Sequence, residues 1–145
     1  MFTGITTNIG VIKKITENAL PEYHIETNLD LKNVSIGSSI MCSGICLTVI
    51  KIIKNTFIVN ISEETLNVTN AVDWKKGTII NLEKSLSLGD QMGGHIVTGH
   101  VDCTSKLKSI KNLDKSKIYS FSIFKKLQKF VCKKGSITID GISLT

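Results

Sequence analysis

Residues 39–48 read SIMCSGICLT and residues 136–145 read SITIDGISLT, with six of the ten positions identical at an offset of 97. Upstream of each block stands a Thr-Gly pair, at residues 3–4 and at residues 98–99, and these pairs correspond at an offset of 95. Chance rarely produces two matched blocks at nearly one spacing, so the chain contains a duplicated unit of about 95 residues. Two related units offer two related pockets, and related pockets suggest two similar ligands.

The periodicity of both units is that of β structure. Segments rich in Val, Ile and Thr and bounded by turn residues predict strands at 5–15, 23–27, 38–53, 56–61 and 78–83. Short helices are predicted at 28–34 and, in the second unit, at 122–131. Many short strands with one small helix per unit predict an all-β chain with one compact antiparallel barrel in each unit.

The repeat also predicts the domain boundaries. We place the first barrel at residues 1–95 and the second at 96–145, with the glycine-rich stretch 88–94 as the hinge. Counted from the repeated Thr98, the second unit has 48 of about 95 residues, so its barrel is expected to be incomplete and to expose a hydrophobic edge. We therefore expect the chain to be a fragment of a longer one.

The composition of the chain limits the classes of function that it can have. The chain is 41% apolar and 21% charged, which is typical of a globular protein. Its net charge of +6 fits a solvated basic face better than a nucleic-acid surface, because arginine is absent. The first residues lack a secretory pattern and no apolar stretch is long enough to span a bilayer, so a cytoplasmic protein with reduced thiols and no membrane partner is expected.

The repeat places Cys46 and Ser143 at equivalent positions, two residues after a glycine and two before a threonine. Both side chains are potential nucleophiles or hydrogen-bonding groups, although a free cysteine is more often a small buried hydrophobe. Thr48 and Thr145 follow two residues later and are expected on the same strand faces. Cys42 is expected to share a face with Cys46, but no further ligands at zinc spacing follow, so no metal site is predicted.

The histidines near the start of the second unit and residues 62–65 each have more than one interpretation. His100 takes the place of Ile5 in the repeat, and its imidazole suits proton transfer near neutral pH, although a surface histidine is an equal alternative. His95 lies five residues earlier and is expected on the opposite face of the same strand. Residues 62–65 suit a capping box for a helical turn. Phosphate-binding glycine motifs are missing, which argues against a pyrophosphate ligand.

The set of motifs resembles the riboflavin synthase family of the alpha-subunit type. The resemblance rests on MFTGI at residues 1–5, GICLTV at 44–49, ETL at 64–66, GGHIVTGHV at 93–101 and KGSITIDGISLT at 134–145. These segments stand in the family's order and span the whole chain.

The resemblance implies tandem Greek-key, six-stranded β-barrels with one short helix each, each binding one 6,7-dimethyl-8-ribityllumazine. It implies a homotrimer that transfers a four-carbon unit between two lumazines, which yields riboflavin and 5-amino-6-(ribitylamino)uracil. One lumazine is donor and the other acceptor, so no cofactor or metal is needed. With its second barrel truncated, the chain itself is expected to be inactive. A non-catalytic lumazine- or flavin-binding antenna protein of the same fold is the alternative, and a barrel that binds single-stranded nucleic acid is a third class that the few aromatic residues disfavour.

The resemblance also implies which residues form the site, with one chain's first barrel facing another chain's second. The first-barrel contacts are Gly4, Ile5, Thr6, Cys46, Leu47, Thr48, Asn60, Ile61, Ser62, Glu63, Glu64 and Thr65. The second-barrel contacts are Gly99, His100, Val101, Lys134, Ser143, Leu144 and Thr145. Among these residues, the expected catalytic groups are Cys46, His100, Ser143 and Thr145.

Overall fold

Six antiparallel strands of the first unit close into a barrel in the computed structural model, which describes residues 1–145. They are β1 (Asn8–Ile15), β2 (Glu22–Thr27), β3 (Ser39–Cys42), β4 (Ile45–Ile53), β5 (Thr56–Asn60) and β6 (Ile79–Lys84). Their order around the barrel is β1-β2-β5-β4-β3-β6. Hairpins link β3, β4 and β5, and β6 returns by a long connection to lie beside β3, which makes a Greek key. The predicted all-β barrel fold is confirmed.

The barrel interior is filled by side chains that alternate along the strands. Ile12, Ile25, Phe57 and Leu82 are all fully buried in one cluster of 17 residues. Burying each of these side chains stabilises the fold by about 1.5–3 kcal/mol. Trp74 also belongs to the cluster and packs edge-to-face on Tyr23, with ring centroids 6.2 Å apart. Burial raises the pKa of the Tyr23 hydroxyl.

A tight turn divides the segment 38–53, for which the pattern predicts one strand. Ser43 and Gly44 both have positive φ, 46° and 90°, and join β3 to β4. Two central residues with positive φ make a type I′ turn, which matches the twist of antiparallel strands. The second unit repeats this geometry at Asp140 and Gly141, with φ of 48° and 83°.

The predicted helix at 28–34 is wrong, because these residues form turns. The Thr27 hydroxyl accepts a hydrogen bond from the Leu29 amide, and the Asp30 carboxylate accepts one from the Lys32 amide. Such local side-chain bonds compete with helical ones. The first unit's helix is instead α1 (Glu63–Val68), where the Ser62 hydroxyl accepts the Thr65 amide as an N-cap. A 3₁₀ turn (Asn70–Asp73) follows.

The second unit forms two separate hairpins. They are β7 (Leu107–Asn112) with β8 (Lys117–Phe121), and β9 (Ile137–Ile139) with β10 (Ile142–Leu144). These four strands do not close into a barrel. The predicted helix at 122–131 is a shorter 3₁₀ helix (Lys125–Phe130), and Phe130 is 73% exposed because no closed barrel lies behind it. The domain boundary at 95/96 stays a prediction.

Gly10 lies where neighbouring strands approach closely. A glycine within a strand suggests a bulge, but the irregularity in the pairing of β1 with β2 lies further along, between Ile12 and Lys14. A Cβ at Gly10 would lie 2.7 Å from Ile25 Cγ2 and 2.9 Å from Leu82 Cδ1, so the barrel interior admits only glycine there. None of the helices is long and apolar enough to cross a membrane.

Candidate functional site

The two units meet across a local two-fold axis between equivalent residues of the repeat. The Phe2 amide donates to the Val97 carbonyl at 2.8 Å, and the Val97 amide donates to the Phe2 carbonyl at 3.0 Å. Both side chains are buried in one small cluster with Met41. The turns also lie back to back, since a Cβ on Gly44 would stand 3.0 Å from the Gly141 nitrogen. Each residue thus faces its own counterpart, as a two-fold axis requires.

The segment that opens each unit contacts the other unit. The Ser143 amide donates to the Gly4 carbonyl at 2.8 Å, and the Cys46 amide donates to the Gly99 carbonyl at 2.8 Å. Both glycines have φ of 78°. A Cβ on Gly4 would lie 2.7 Å from the Ser143 Cβ, and one on Gly99 would lie 2.7 Å from the Cys46 Cβ. Only glycine allows these approaches.

This exchange arranges the predicted contacts in two groups, each built from both units. The first group, which we call the Cys46 half-site, consists of residues 46–48, 60–65 and 99–101. The second group, which we call the Ser143 half-site, consists of residues 4–6 and 143–145. The resemblance places residues 4–6 with Cys46 and residues 99–101 with Ser143, whereas their backbone hydrogen bonds join them to the opposite groups.

In the Cys46 half-site, β4 directs alternate side chains inward and outward. Leu47 is 5% exposed and lies in the barrel core, whereas Cys46 and Thr48 lie on the other face, as predicted for that pair. Cys42 does not share a face with Cys46, because the turn places them on neighbouring strands, with Cys42 fully buried. Burial, with a smaller effect of the Cys46 thiol, strongly raises the pKa of Cys42.

Residues 60–65 lie at the same end of the barrel as Thr48, because Val49 pairs with Val59. The Asn60 side chain donates to the Pro21 carbonyl at 3.0 Å, and Ile61 is buried in the core. Ser62 and Thr65 form the helix cap described above, while Glu63 and Glu64 are exposed in the first turn of α1. The predicted ligand contacts and the helix cap therefore fall on the same residues.

Residues 99–101 complete this half-site. Val101 packs against the first barrel's core, and the His100 side chain is exposed. The Thr98 hydroxyl accepts the His100 amide at 3.2 Å, which repeats the bond from the Ile5 amide to the Thr3 hydroxyl at 3.2 Å. His95 and His100 do not lie on opposite faces of one strand, because residues 95–100 form no strand and have only an isolated bridge at Val97.

A buried carboxylate holds the opening segment of the Ser143 half-site. Glu83, 5% exposed, accepts hydrogen bonds from the Thr3 amide and hydroxyl, both at 2.7 Å, and from the Gly4 amide at 3.0 Å. Ile5 is 46% exposed, and the Thr6 hydroxyl oxygen is buried without a hydrogen-bond partner. Thr6 lines an open groove of about 400 Å³ together with Thr7, Asn8, Ile9 and Asn28.

The other side of the Ser143 half-site contains a histidine that sequence reasoning did not include. His95 Nδ1 lies 2.7 Å from the Ser143 hydroxyl, and its Nε2 lies 3.0 Å from the Thr138 hydroxyl. No sequence pattern signals these contacts, because the partners lie 43 and 48 residues away. Leu144, Thr145 and Lys134 are exposed, and the structure shows no hydrogen bond between Lys134 and the other predicted residues.

A second crevice, of about 300 Å³, lies between the units but contains none of the predicted site residues. Asn81 of the first unit donates there to the Asp140 carbonyl at 2.9 Å. We place the site at the paired half-sites instead, because that is where the equivalent residues of the repeat converge. No three His, Cys, Asp or Glu side chains group together as metal ligands.

Known proteins with this arrangement identify the family. Residues 3–85 and 98–145 match the lumazine binding domain. The whole chain is 40% identical to the riboflavin synthase of Brucella abortus (strain 2308), of which it covers 75%. The chain belongs to the lumazine-binding riboflavin synthase family. It is also 38% identical to the riboflavin synthase of Bacillus subtilis (strain 168), of which it covers 68%.

Solved structures of the family show the same fold. The chain is similar to LumP complexed with riboflavin, with a TM-score of 0.86 and 27% identity over 99% of this chain and 78% of LumP. It is also similar to LumP complexed with 6,7-dimethyl-8-(1'-D-ribityl)lumazine, with a TM-score of 0.83 and 26% identity over the same shares. Proteins similar to this chain thus include riboflavin synthases and LumP, whose structures were solved separately with the lumazine and with riboflavin.

Proposed function

We propose that the intact protein is a riboflavin synthase, which transfers a four-carbon unit between two molecules of 6,7-dimethyl-8-ribityllumazine. The observation that carries the proposal is the reciprocal pairing of Gly4 with Ser143 and of Gly99 with Cys46. It places two half-sites at corresponding positions of the repeat, so that two molecules of one substrate can be held by related residues. The family membership supplies the ligand class.

Polar groups in the half-sites match the lumazine's chemistry. A pteridine ring presents carbonyls and ring nitrogens that hydroxyls and backbone amides can bind. The Thr6 hydroxyl oxygen is buried and unpaired beside the groove that Thr6 lines. Rotation of this hydroxyl into the groove would allow a ligand bond that satisfies a group which otherwise costs about 1–3 kcal/mol. Exposed Thr48 and Thr145 offer further hydroxyls, and Lys134 suits the ribityl chain.

The proposed catalytic groups are Cys46, His100, Ser143 and Thr145. The reaction begins when one lumazine loses a proton from its activated methyl group, and His100 or the hydroxyls of Ser143 and Thr145 assist that transfer. Cys46 adds to the acceptor ring or orients the water that does, and the added thiol or water is expelled again before riboflavin forms, so neither is consumed. The four carbons that one lumazine loses are those that the other gains, so the overall reaction needs no oxidant, metal or cofactor. Holding both rings together supplies much of the rate by proximity.

A homotrimer stays a prediction, in which the first barrel of one chain faces the second barrel of another. Sedimentation equilibrium measures the mass of the assembly directly.

Residues 106–134 carry ten lysines and one aspartate, yet a nucleic-acid partner is not part of this proposal. Retention of an oligonucleotide at physiological salt would contradict that part.

The test is to incubate the full-length protein with 6,7-dimethyl-8-ribityllumazine and to follow riboflavin by fluorescence and 5-amino-6-(ribitylamino)uracil by chromatography. Equimolar formation of both products, lost in Cys46→Ala and Ser143→Ala, supports the synthase.

The likeness to LumP favours a second candidate, a non-catalytic lumazine- or flavin-binding protein. Stoichiometric binding of the lumazine without turnover by the protein in its assembled state would establish that candidate instead.

A further inference from the structure

His95 is held at three points beside the local two-fold axis. Its backbone amide donates to the Thr3 carbonyl at 3.0 Å. Its two ring nitrogens contact the hydroxyls of Ser143 and Thr138, at 2.7 and 3.0 Å. The residue is half-buried, so its ring is packed as well as hydrogen bonded. An imidazole fixed through both nitrogens is poised to act on its neighbours.

The Cys46 half-site has no equivalent of this arrangement. Thr138 and Ser143 pair across β9 and β10, and their counterparts in the repeat, Met41 and Cys46, pair across β3 and β4. Met41 is 1% exposed and lies in an apolar cluster against which Cys46 packs. The structure shows no hydrogen bond to the Cys46 thiol. One half-site therefore centres on a polar trio, and the other on apolar groups and a thiol.

We propose that His95 is a positioning residue that fixes the Ser143 hydroxyl and thereby makes the two half-sites chemically unequal. This inference rests on the proposed function, because it concerns how the same lumazine binds to each half-site. The Ser143 half-site presents an oriented hydroxyl to its lumazine, whereas the Cys46 half-site presents a thiol without a fixed partner. Two identical ligands thus bind unequal surroundings, which separates a donor from an acceptor.

The physical basis is the tautomer of the imidazole. In neutral histidine one ring nitrogen donates and the other accepts. The Thr138 and Ser143 hydroxyls can each donate or accept, so the two hydroxyls take opposite roles towards the ring. The tautomer therefore sets whether Ser143 donates its proton to Nδ1 or accepts from Nδ1 and turns its own proton towards the ligand. Without His95 the Ser143 hydroxyl rotates freely and offers the ligand no single geometry.

Two isosteric variants separate this role from packing. In His95→Asn the side-chain amide occupies the position of Nδ1, so the bond to Ser143 is kept. In His95→Gln the amide occupies the position of Nε2, so the bond to Thr138 is kept and the bond to Ser143 is lost. We expect His95→Gln to weaken lumazine binding at one of two sites by about threefold to tenfold, and His95→Asn to bind within about twofold of the wild type. The probe is 6,7-dimethyl-8-ribityllumazine, titrated by calorimetry into the full chain.

Equal losses in both variants, or equal losses at both sites, would overturn the proposal. A second measurement does not depend on the ligand, namely the ¹⁵N shifts of the His95 ring in the ligand-free protein. We expect one fixed tautomer in the wild type and averaged shifts in Thr138→Val. Averaged shifts in the wild type overturn the positioning role even where the lumazine binds. Failure of the wild type to bind the lumazine, with a fixed tautomer present, counts against the proposed function and leaves the positioning of Ser143 supported.

Discussion

The Gly99 carbonyl accepts a 2.8 Å hydrogen bond from the Cys46 amide, although the two residues belong to different units of the repeat. The bond from the Ser143 amide to the Gly4 carbonyl has the same length, but here the second unit donates and the first unit accepts. Neither unit therefore completes its own half-site. A substitution that destabilises this junction is therefore also expected to disturb the geometry of both half-sites.

The first prediction concerns Gly99 at this junction. In Gly99→Ala the new Cβ would lie 2.7 Å from the Cys46 Cβ, at a φ of 78° that side chains rarely adopt. We expect a loss of about 2–4 kcal/mol in the free energy of unfolding, measured by urea denaturation. Gly77→Ala is the matched control, because Gly77 has a φ of 91° but open space around it. Its loss should be about 1 kcal/mol, and equal losses would show that the contact with Cys46 is not tight.

The second prediction concerns the Glu83 carboxylate, which accepts three hydrogen bonds from Thr3 and Gly4. In Glu83→Gln an amide group would face backbone donors, so at least one buried bond is lost. We expect a destabilisation of about 2–3 kcal/mol and faster hydrogen exchange at the Thr3 and Gly4 amides. Exposed Glu17→Gln is the control and should change neither quantity. Unchanged exchange in Glu83→Gln would show that the carboxylate does not hold this segment.

The third prediction concerns Cys42, whose pKa is raised chiefly by burial. In the unfolded chain a cysteine ionises near pH 8.5, whereas Cys42 in the folded chain stays a thiol. The unfolded state thus binds fewer protons above that pH, so stability falls as the pH rises, by up to about 1.4 kcal/mol per pH unit. We expect Cys42→Ala to lower stability at pH 7.5 but to show a smaller decline by pH 9.5.

This pH dependence is measured by urea unfolding in the presence of a reductant at pH 7.5, 8.5 and 9.5. Cys132→Ala is the control, because Cys132 is exposed and should leave the decline unchanged. Alkylation followed by mass spectrometry adds a direct test, in which Cys132 is labelled well before Cys42. Rapid labelling of Cys42 in the folded protein would contradict its burial.

The fourth prediction compares two threonine hydroxyls. The Thr6 hydroxyl is buried without a partner, so Thr6→Val should alter the free energy of unfolding by less than about 0.5 kcal/mol or raise it. The same change should weaken lumazine binding about threefold to tenfold. The Thr69 hydroxyl donates to the Thr65 carbonyl and accepts the Ala71 amide, so Thr69→Val should destabilise the chain by about 1–3 kcal/mol. A Thr6→Val variant with wild-type affinity would remove Thr6 from the proposed site.

The fold was largely accessible from sequence because its signals are local. Alternation along β1 to β6 and the turn residues at Ser43-Gly44 act within a few positions, and both signals agree. The helix at 28–34 failed for a local reason too, since Thr27 and Asp30 form side-chain turns that compete with a helix. The helix at 122–131 is shortened because its apolar face has no closed barrel to pack against.

By itself the sequence determined the duplication, the all-β barrel and the family, because repeats, strand periodicity and motifs are written in neighbouring residues. Only the tertiary structure decided that Gly4 joins Ser143, that Gly99 joins Cys46, and that His95 bridges Ser143 and Thr138. The local two-fold axis brings together residues that lie from 43 to 139 positions apart. Such contacts depend on how two units pack, which no local pattern encodes.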